Sequence, residues 1–235
     1  MIQLKWFSMY KLHVIAVISF VVFDFTQGYA QSIAQWRGLN RDGQYNETKL
    51  MNKWPDKGPK QLWFNEEIGA GFAAPSVTND KIFVNGELDG TSYLYAFDLN
   101  GKVLWKSPNG KEFMGDGFSS TYPGARSTPT IIDNLVYASS GKGRIACYEV
   151  DSGKEKWAVD MVKDLGGYQN EFGYSESLVV DDKKVYCFPG GPVTNISALD
   201  RFTGKPVWSS KALGDTTSFC SPILISLPDI KIFVT

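Results

Sequence analysis

The chain has 235 residues, 43% of them hydrophobic and 21% charged, with a formal net charge of −1. That balance excludes the basic field through which nucleic-acid binders hold phosphate. The single histidine, His13, lies within the first thirty residues, so the rest of the chain excludes Ser-His-Asp and Cys-His catalysis, histidine-ligated zinc and a histidine pH switch.

In chain order, residues 1–30 come first. Lys5 and Lys11 precede an apolar stretch from Val14 to Phe25, and small residues follow at Gly28 and Ala30. This is the order of a secretory signal peptide cleaved after Ala30. The stretch is shorter than the ~20 residues a span needs, so no stable membrane span is expected after cleavage; a retained anchor is the alternative. No cysteine lies near the cut, which speaks against a bacterial lipid anchor. The expected location is periplasmic or secreted, and without Lys5, Lys11 and Asp24 the net charge is about −2.

Residues 31–72 form an N-terminal segment. Within it, "GPKQLWF" (58–64) reads as a lone outer strand carrying Trp63. From residue 73 the sequence repeats itself. "YLYAFDLNGKVLW", "IACYEVDSGKEKW" and "ISALDRFTGKPVW" each place a small residue, an acid, a Gly-Lys turn and a Trp in the same order. The matched positions are Ala96, Asp98, Gly101 and Trp105; Cys147, Glu149, Gly153 and Trp157; and Ala198, Asp200, Gly204 and Trp208. Upstream of each copy lie two short β-rich runs split by an Asp/Asn turn: "APSVTNDKIFVNG", "TPTIIDNLVYASSG" and "SLVVDDKKVYCFPGG". "SPILISLPDIKIFVT" begins a fourth copy.

Units of four strands at a period of ~40–50 residues predict an all-β propeller. The expected blades are 73–106, 127–158, 175–209 and a partial 218–235. Each glycine supplies the left-handed backbone of a hairpin loop, each acid accepts from the turn's N–H groups, and each Trp lies between one blade and the next. Pro75, Pro129 and Pro222 recur at the first strand, whose channel edge is expected to be unpaired. An ordinary β-sandwich would not require ordered matches of this kind. A WD-type propeller is disfavoured because Lys106, Ala158 and Ser209, not Asp, follow the tryptophans; a kelch type is disfavoured because only Gly190-Gly191 gives a paired glycine there. Cys147, Cys187 and Cys220 lack metal-ligand spacing and read as small buried hydrophobes, with a disulfide as the alternative.

The pattern Ala-x-Asp-x-x-Thr-Gly-Lys-x-x-Trp resembles the tryptophan-docking motif of the PQQ-like β-propeller family, named after pyrroloquinoline-quinone dehydrogenases. "QWRGLNRDGQY" (35–45) is similar to the opening of secreted bacterial members, and "FGYSESLVVDDKKVYCFPGG" to one of their blades. The resemblance implies a ring of about eight blades, of which this sequence holds three plus fragments. It therefore reads as the N-terminal half of a longer protein or as a truncated frame.

Fold does not fix activity, and the family as the resemblance gives it includes both enzymes and an outer-membrane assembly scaffold. The first expectation is a non-catalytic binding or scaffold propeller, with no cofactor, that holds an extracytoplasmic protein or small ligand. Its binding face is expected on the long connections 106–127 and 158–175, with Asp116, Tyr122, Arg126, Tyr168, Glu171 and Tyr174 as ligand-face candidates. The alternative is a fragment of a PQQ- and Ca-dependent dehydrogenase. The resemblance then calls for adjacent cysteines, which are missing, and for residues of the type of Arg126, Asn170 and Glu171. A third reading, a carbohydrate module, needs at least two of Tyr122, Tyr168 and Tyr174 exposed and coplanar as stacking platforms.

Overall fold

The structure is a computed structural model that describes residues 33–45 and 47–235. The leader expected at 1–30 lies outside the described residues. No helix among them is long and apolar enough to cross a membrane.

A two-residue strand, β1 (Ile33–Ala34), opens the described chain. Three four-stranded units follow. The first is β2 (Ser76–Val77), β3 (Lys81–Leu88), β4 (Thr91–Asp98) and β5 (Val103–Lys111). The second is β6 (Thr130–Ile132), β7 (Leu135–Ser139), β8 (Arg144–Glu149) and β9 (Glu155–Asp160). The third is β10 (Val179–Val180), β11 (Lys184–Cys187), β12 (Thr194–Asp200) and β13 (Pro206–Lys211), and a two-stranded sheet of β14 (Ile223–Ser226) and β15 (Lys231–Val234) comes last. Every sheet is an antiparallel meander in sequence order, and β1 adds a fifth strand beside β6. These are propeller blades, and the described blades do not close a ring.

Side-chain alternation explains how the blades stack. Along β7 and β8, Tyr137, Ile145 and Cys147 face blade 3, where they join Val185, Cys187 and Leu199 in one buried cluster. Their neighbours Val136, Ala138, Ala146 and Tyr148 face the other way and join Phe83, Leu94 and Ala96 of blade 1. Successive residues of a strand point to opposite sides, so a sheet covered on both faces needs apolar residues at nearly every position. "LVYAS" and "RIACYE" supply them.

Four details differ from the sequence reading. The blades run past their expected ends at 106, 158 and 209: each Trp is the third residue of β5, β9 or β13, and β5 continues to Lys111, six residues past Trp105. Residues 58–64 have no strand pairing, although Trp63 docks on blade 1 as described below. The first strand of blade 2 is not an open edge, because Ile33 and Ala34 pair with Ile132 and Ile131. Pro129 sits two residues before the nearest paired residue, Ile131, and just before β6, as Pro75 and Pro222 sit just before β2 and β14. Cys147 and Cys187 are buried and free, whereas Cys220 is free and exposed.

Candidate functional site

The repeated motif builds one contact three times. In each hairpin the small residue pairs directly with the Trp: Ala96 with Trp105, Cys147 with Trp157, Ala198 with Trp208. A register shift follows at once in all three. Such a bulge bends the strand and increases its twist. Beyond it, Gly101, Gly153 and Gly204 adopt φ of 83°, 67° and 72°. Asp98 accepts from the amides of Asn100 and Lys102, and Asp200 from those of Phe202 and Thr203. Glu149, one methylene longer, takes the Ser152 hydroxyl instead.

Trp105 and Trp157 then lie on the glycine turn of the following blade. A methyl placed on Gly153 would stand 2.5 Å from the Trp105 ring, and one on Gly204 2.7 Å from the Trp157 ring. Trp63 occupies Gly101 in the same way, also at 2.5 Å. The indole N–H donates each time to the carbonyl of the residue after the turn acid: Trp63 to Leu99, Trp105 to Val150, Trp157 to Arg201, all at 2.9 Å. The glycine is thus required twice, for its backbone angle and for the close approach of the ring. Between the inner strands a second link recurs that the repeated motif does not include: Ser76 Oγ donates to Pro129 O, and Thr130 Oγ1 to Leu178 O.

These seams position the long loops. In an antiparallel blade the Gly-Lys turn lies at one end, and the connection from the last strand to the next blade's first strand lies at the other. Outside the named strands these connections run from Glu112 to Pro129, with one isolated bridge between Ala125 and Gly71, and from Met161 to Leu178. Their ligand-face candidates divide sharply. Asp116 caps a short 3-10 helix, Gly117–Thr121, in a reciprocal capping box with Ser119. Tyr122 is exposed and packs near Phe118 and Phe72, with ring centroids 6.0 and 6.2 Å apart. Arg126 donates to the carbonyls of Gly124 and Tyr122 and lies over the Phe113 ring. Tyr168 is exposed beside Gly191, and Glu171 is exposed.

Tyr174 does not belong to this face. It is 1% exposed inside the core between blades 2 and 3, and its hydroxyl donates to Pro189 O. Its apolar ring fills space above Gly143, and its polar tip has a partner, so nothing draws it to the rim. Of the three tyrosines, only Tyr122 and Tyr168 are exposed.

Glu112 and Glu176 are buried acids that the sequence motifs do not single out. Glu112 Oε1 accepts from the amides of Phe113 and Gly141, and Glu176 Oε1 from that of Phe188. Burial pushes both carboxyls upward, Glu176 to about 7, against the opposing pull of these amides and of the Arg126 and Arg41 charges. Their only signal in the sequence is an acid set among small and apolar residues.

Of the residues named for a quinone and calcium, Arg126 bonds its own loop as described above, and Asn170 also serves a loop. The Asn170 amide donates to Thr217 and its oxygen accepts from Phe172 N, which ties the loop down. Among the described residues no three His, Cys, Asp or Glu side chains group as metal ligands.

Comparison with known proteins places this geometry. The family model described as "Outer membrane protein assembly factor BamB" matches residues 55–218. The curated relatives include Outer membrane protein assembly factor BamB of Escherichia coli K12, 28% identical over 106 residues, which is 45% of this chain and 26% of the relative. The match thus spans about a quarter of that relative's length. Among solved structures, BamB from Moraxella catarrhalis superposes with a TM-score of 0.45 at 21% identity, over 65% of this chain and 43% of that one. A quinohemoprotein alcohol dehydrogenase from Comamonas testosteroni gives 0.49 at 22% identity, over 62% and 22%. With its three Trp-on-Gly seams and a family match over residues 55–218, the chain belongs to the PQQ-repeat propeller family described as outer membrane protein assembly factor BamB.

Proposed function

We propose that this chain is a non-catalytic scaffold that works outside the cytoplasm and holds a protein of outer-membrane assembly on its long-loop face. The observation that carries the reading is an aromatic cluster on that face. Phe118, Tyr122 and Phe72 are all exposed, with Phe118 at 74%, yet they pack on one another over a capped and hydrogen-bonded loop. Large aromatic side chains on a rigid support are the usual anchors of a protein interface. The family match, the similarity to outer membrane protein assembly factors and the secretory order of residues 1–30 support the same reading.

A photoreactive amino acid placed at Phe118 or Tyr168 tests it against the same probe at Lys102 or Lys154, on the Gly-Lys turns at the other end of the blades. In cells of a Gram-negative host, the scaffold reading expects crosslinks to outer-membrane assembly proteins from the first pair and none from the second. Equal labelling from both ends, or quinone-dependent alcohol oxidation by the purified protein, would overturn it.

A further inference from the structure

The segment "QWRGLNRDG" (35–43) plays no part in the seams or in the aromatic cluster, yet it is folded into the blades. Arg41 is only 6% exposed: its guanidinium donates to Gln35 Oε1, to Leu178 O at 3.1 Å and to Ser177 O at 2.6 Å. Arg37 and Arg41 lie 5.3 and 5.8 Å from the Trp36 ring centre. Both have left-handed backbones, φ 61° and 58°, which costs a non-glycine residue of order 1 kcal/mol or more. Together with Arg126, Ser175 and Phe219 they line a cavity of about 400 Å³ where the long loops enter the first strands.

We propose that this cavity is a binding site for a compact polyanion, one whose carboxylate or phosphate oxygens are taken by the guanidinium forks of Arg37, Arg41 and Arg126. Three cations meet here in a chain that is net acidic, and among the described residues none of the three has an acidic side chain within ion-pair distance. The acids that face them, Glu112 and Glu176, are buried and bound to backbone amides, and burial drives both toward their neutral forms. The acceptors that Arg41 does have are neutral, so they hold it in place without cancelling its charge. Burial already lowers its pKa to about 10, and an anion beside it would relieve that cost. Ser175 adds a buried hydroxyl with no partner among the described residues. The volume exceeds what a halide needs and suits a small organic or phosphate-bearing anion. Arg126 joins this site to the loop of the aromatic cluster through the Tyr122 carbonyl, but the proposal does not rest on the scaffold reading.

Calorimetric titration of the whole chain with citrate and, separately, with pyrophosphate tests the site, with ionic strength held constant by NaCl. The expected result is one saturable site for at least one probe. Each of Arg37→Gln and Arg126→Gln should weaken it about tenfold or more, as loss of a charge-assisted contact does. Lys163→Gln, in a separate basic groove, should change it less than about twofold. Arg37 is exposed, so its variant decides the matter should Arg126→Gln fail to fold. Citrate alone binding marks a carboxylate site; pyrophosphate alone marks a phosphate site. No saturable heat with either probe, or equal affinity in Arg37→Gln and wild type, overturns the proposal.

Discussion

Trp157 and Trp208 stand at the same position of the same motif, one blade apart, and have opposite surroundings. Trp157 is 8% exposed, lies on Gly204 and donates to Arg201 O. Trp208 is 41% exposed and touches Tyr186 of its own blade, and no glycine of the described residues lies against its ring. The strand around each is alike, so the burial of the ring comes from the turn of the next blade. The motif is half of a contact, and its stabilising effect appears only where the other half arrives.

The seam between blades 2 and 3 offers the largest way to break that comparison. Trp157→Ala should cost about 3–5 kcal/mol in urea unfolding, the range for a large buried aromatic. Gly204→Ala should cost a similar amount, because its methyl would meet the Trp157 ring at 2.7 Å with φ at +72°. In the double variant the clash is gone and only the backbone strain of about 1 kcal/mol remains for the glycine change. Simple addition of the two costs would contradict the contact.

The next effect is electrostatic and belongs to the buried end of blade 3. Glu176 is raised from 4.5 to about 7 by burial, partly offset by Phe188 N and Arg41; Tyr174 and Cys187 are its other titratable neighbours. A raised carboxyl stabilises the fold fully below its unfolded pKa, and that contribution disappears as pH rises through about 7. Wild type should therefore lose on the order of 3 kcal/mol between pH 4.5 and pH 8 at this position. Glu176→Gln should flatten that loss and be the more stable protein at pH 8, measured by denaturant midpoints across pH.

Smaller effects rank the remaining tryptophans. Trp63 has a stacked partner in Phe97 and a bond to Leu99 O, but no strand of its own. Trp63→Ala should cost about 2 kcal/mol, and Trp208→Ala less than about 1 kcal/mol. The order Trp157, Trp63, Trp208 is the point of the measurement; a reversal of the last two would show that a docked ring needs strand pairing as well as a turn.

The blades were legible in the sequence because their joints use chemistry that few other residues supply: a glycine for positive φ and close approach, an acid for the turn amides, a Trp for reach. Residue type alone served the loops poorly. Tyr174 looked like a rim residue and is core, because Tyr buries its ring whenever one carbonyl, here Pro189 O, satisfies its hydroxyl. Trp63 was expected to dock from a strand and docks without one, since the turn provides both the surface and the acceptor. β1 carried no alternation to read in two residues, and the cavity around Arg41 depends on contacts across 137 residues of sequence that no local pattern records.

Hydrogen exchange of the indole N–H protons, resolved by NMR and assigned with single Trp→Phe variants, tests the shared joint most directly. The account predicts protected protons for Trp63, Trp105 and Trp157, slowest at Trp157, and rapid exchange at Trp208. A Trp208 proton as protected as that of Trp157, or a rapidly exchanging Trp157, would contradict the claim that each blade is locked by the glycine turn of the one that follows.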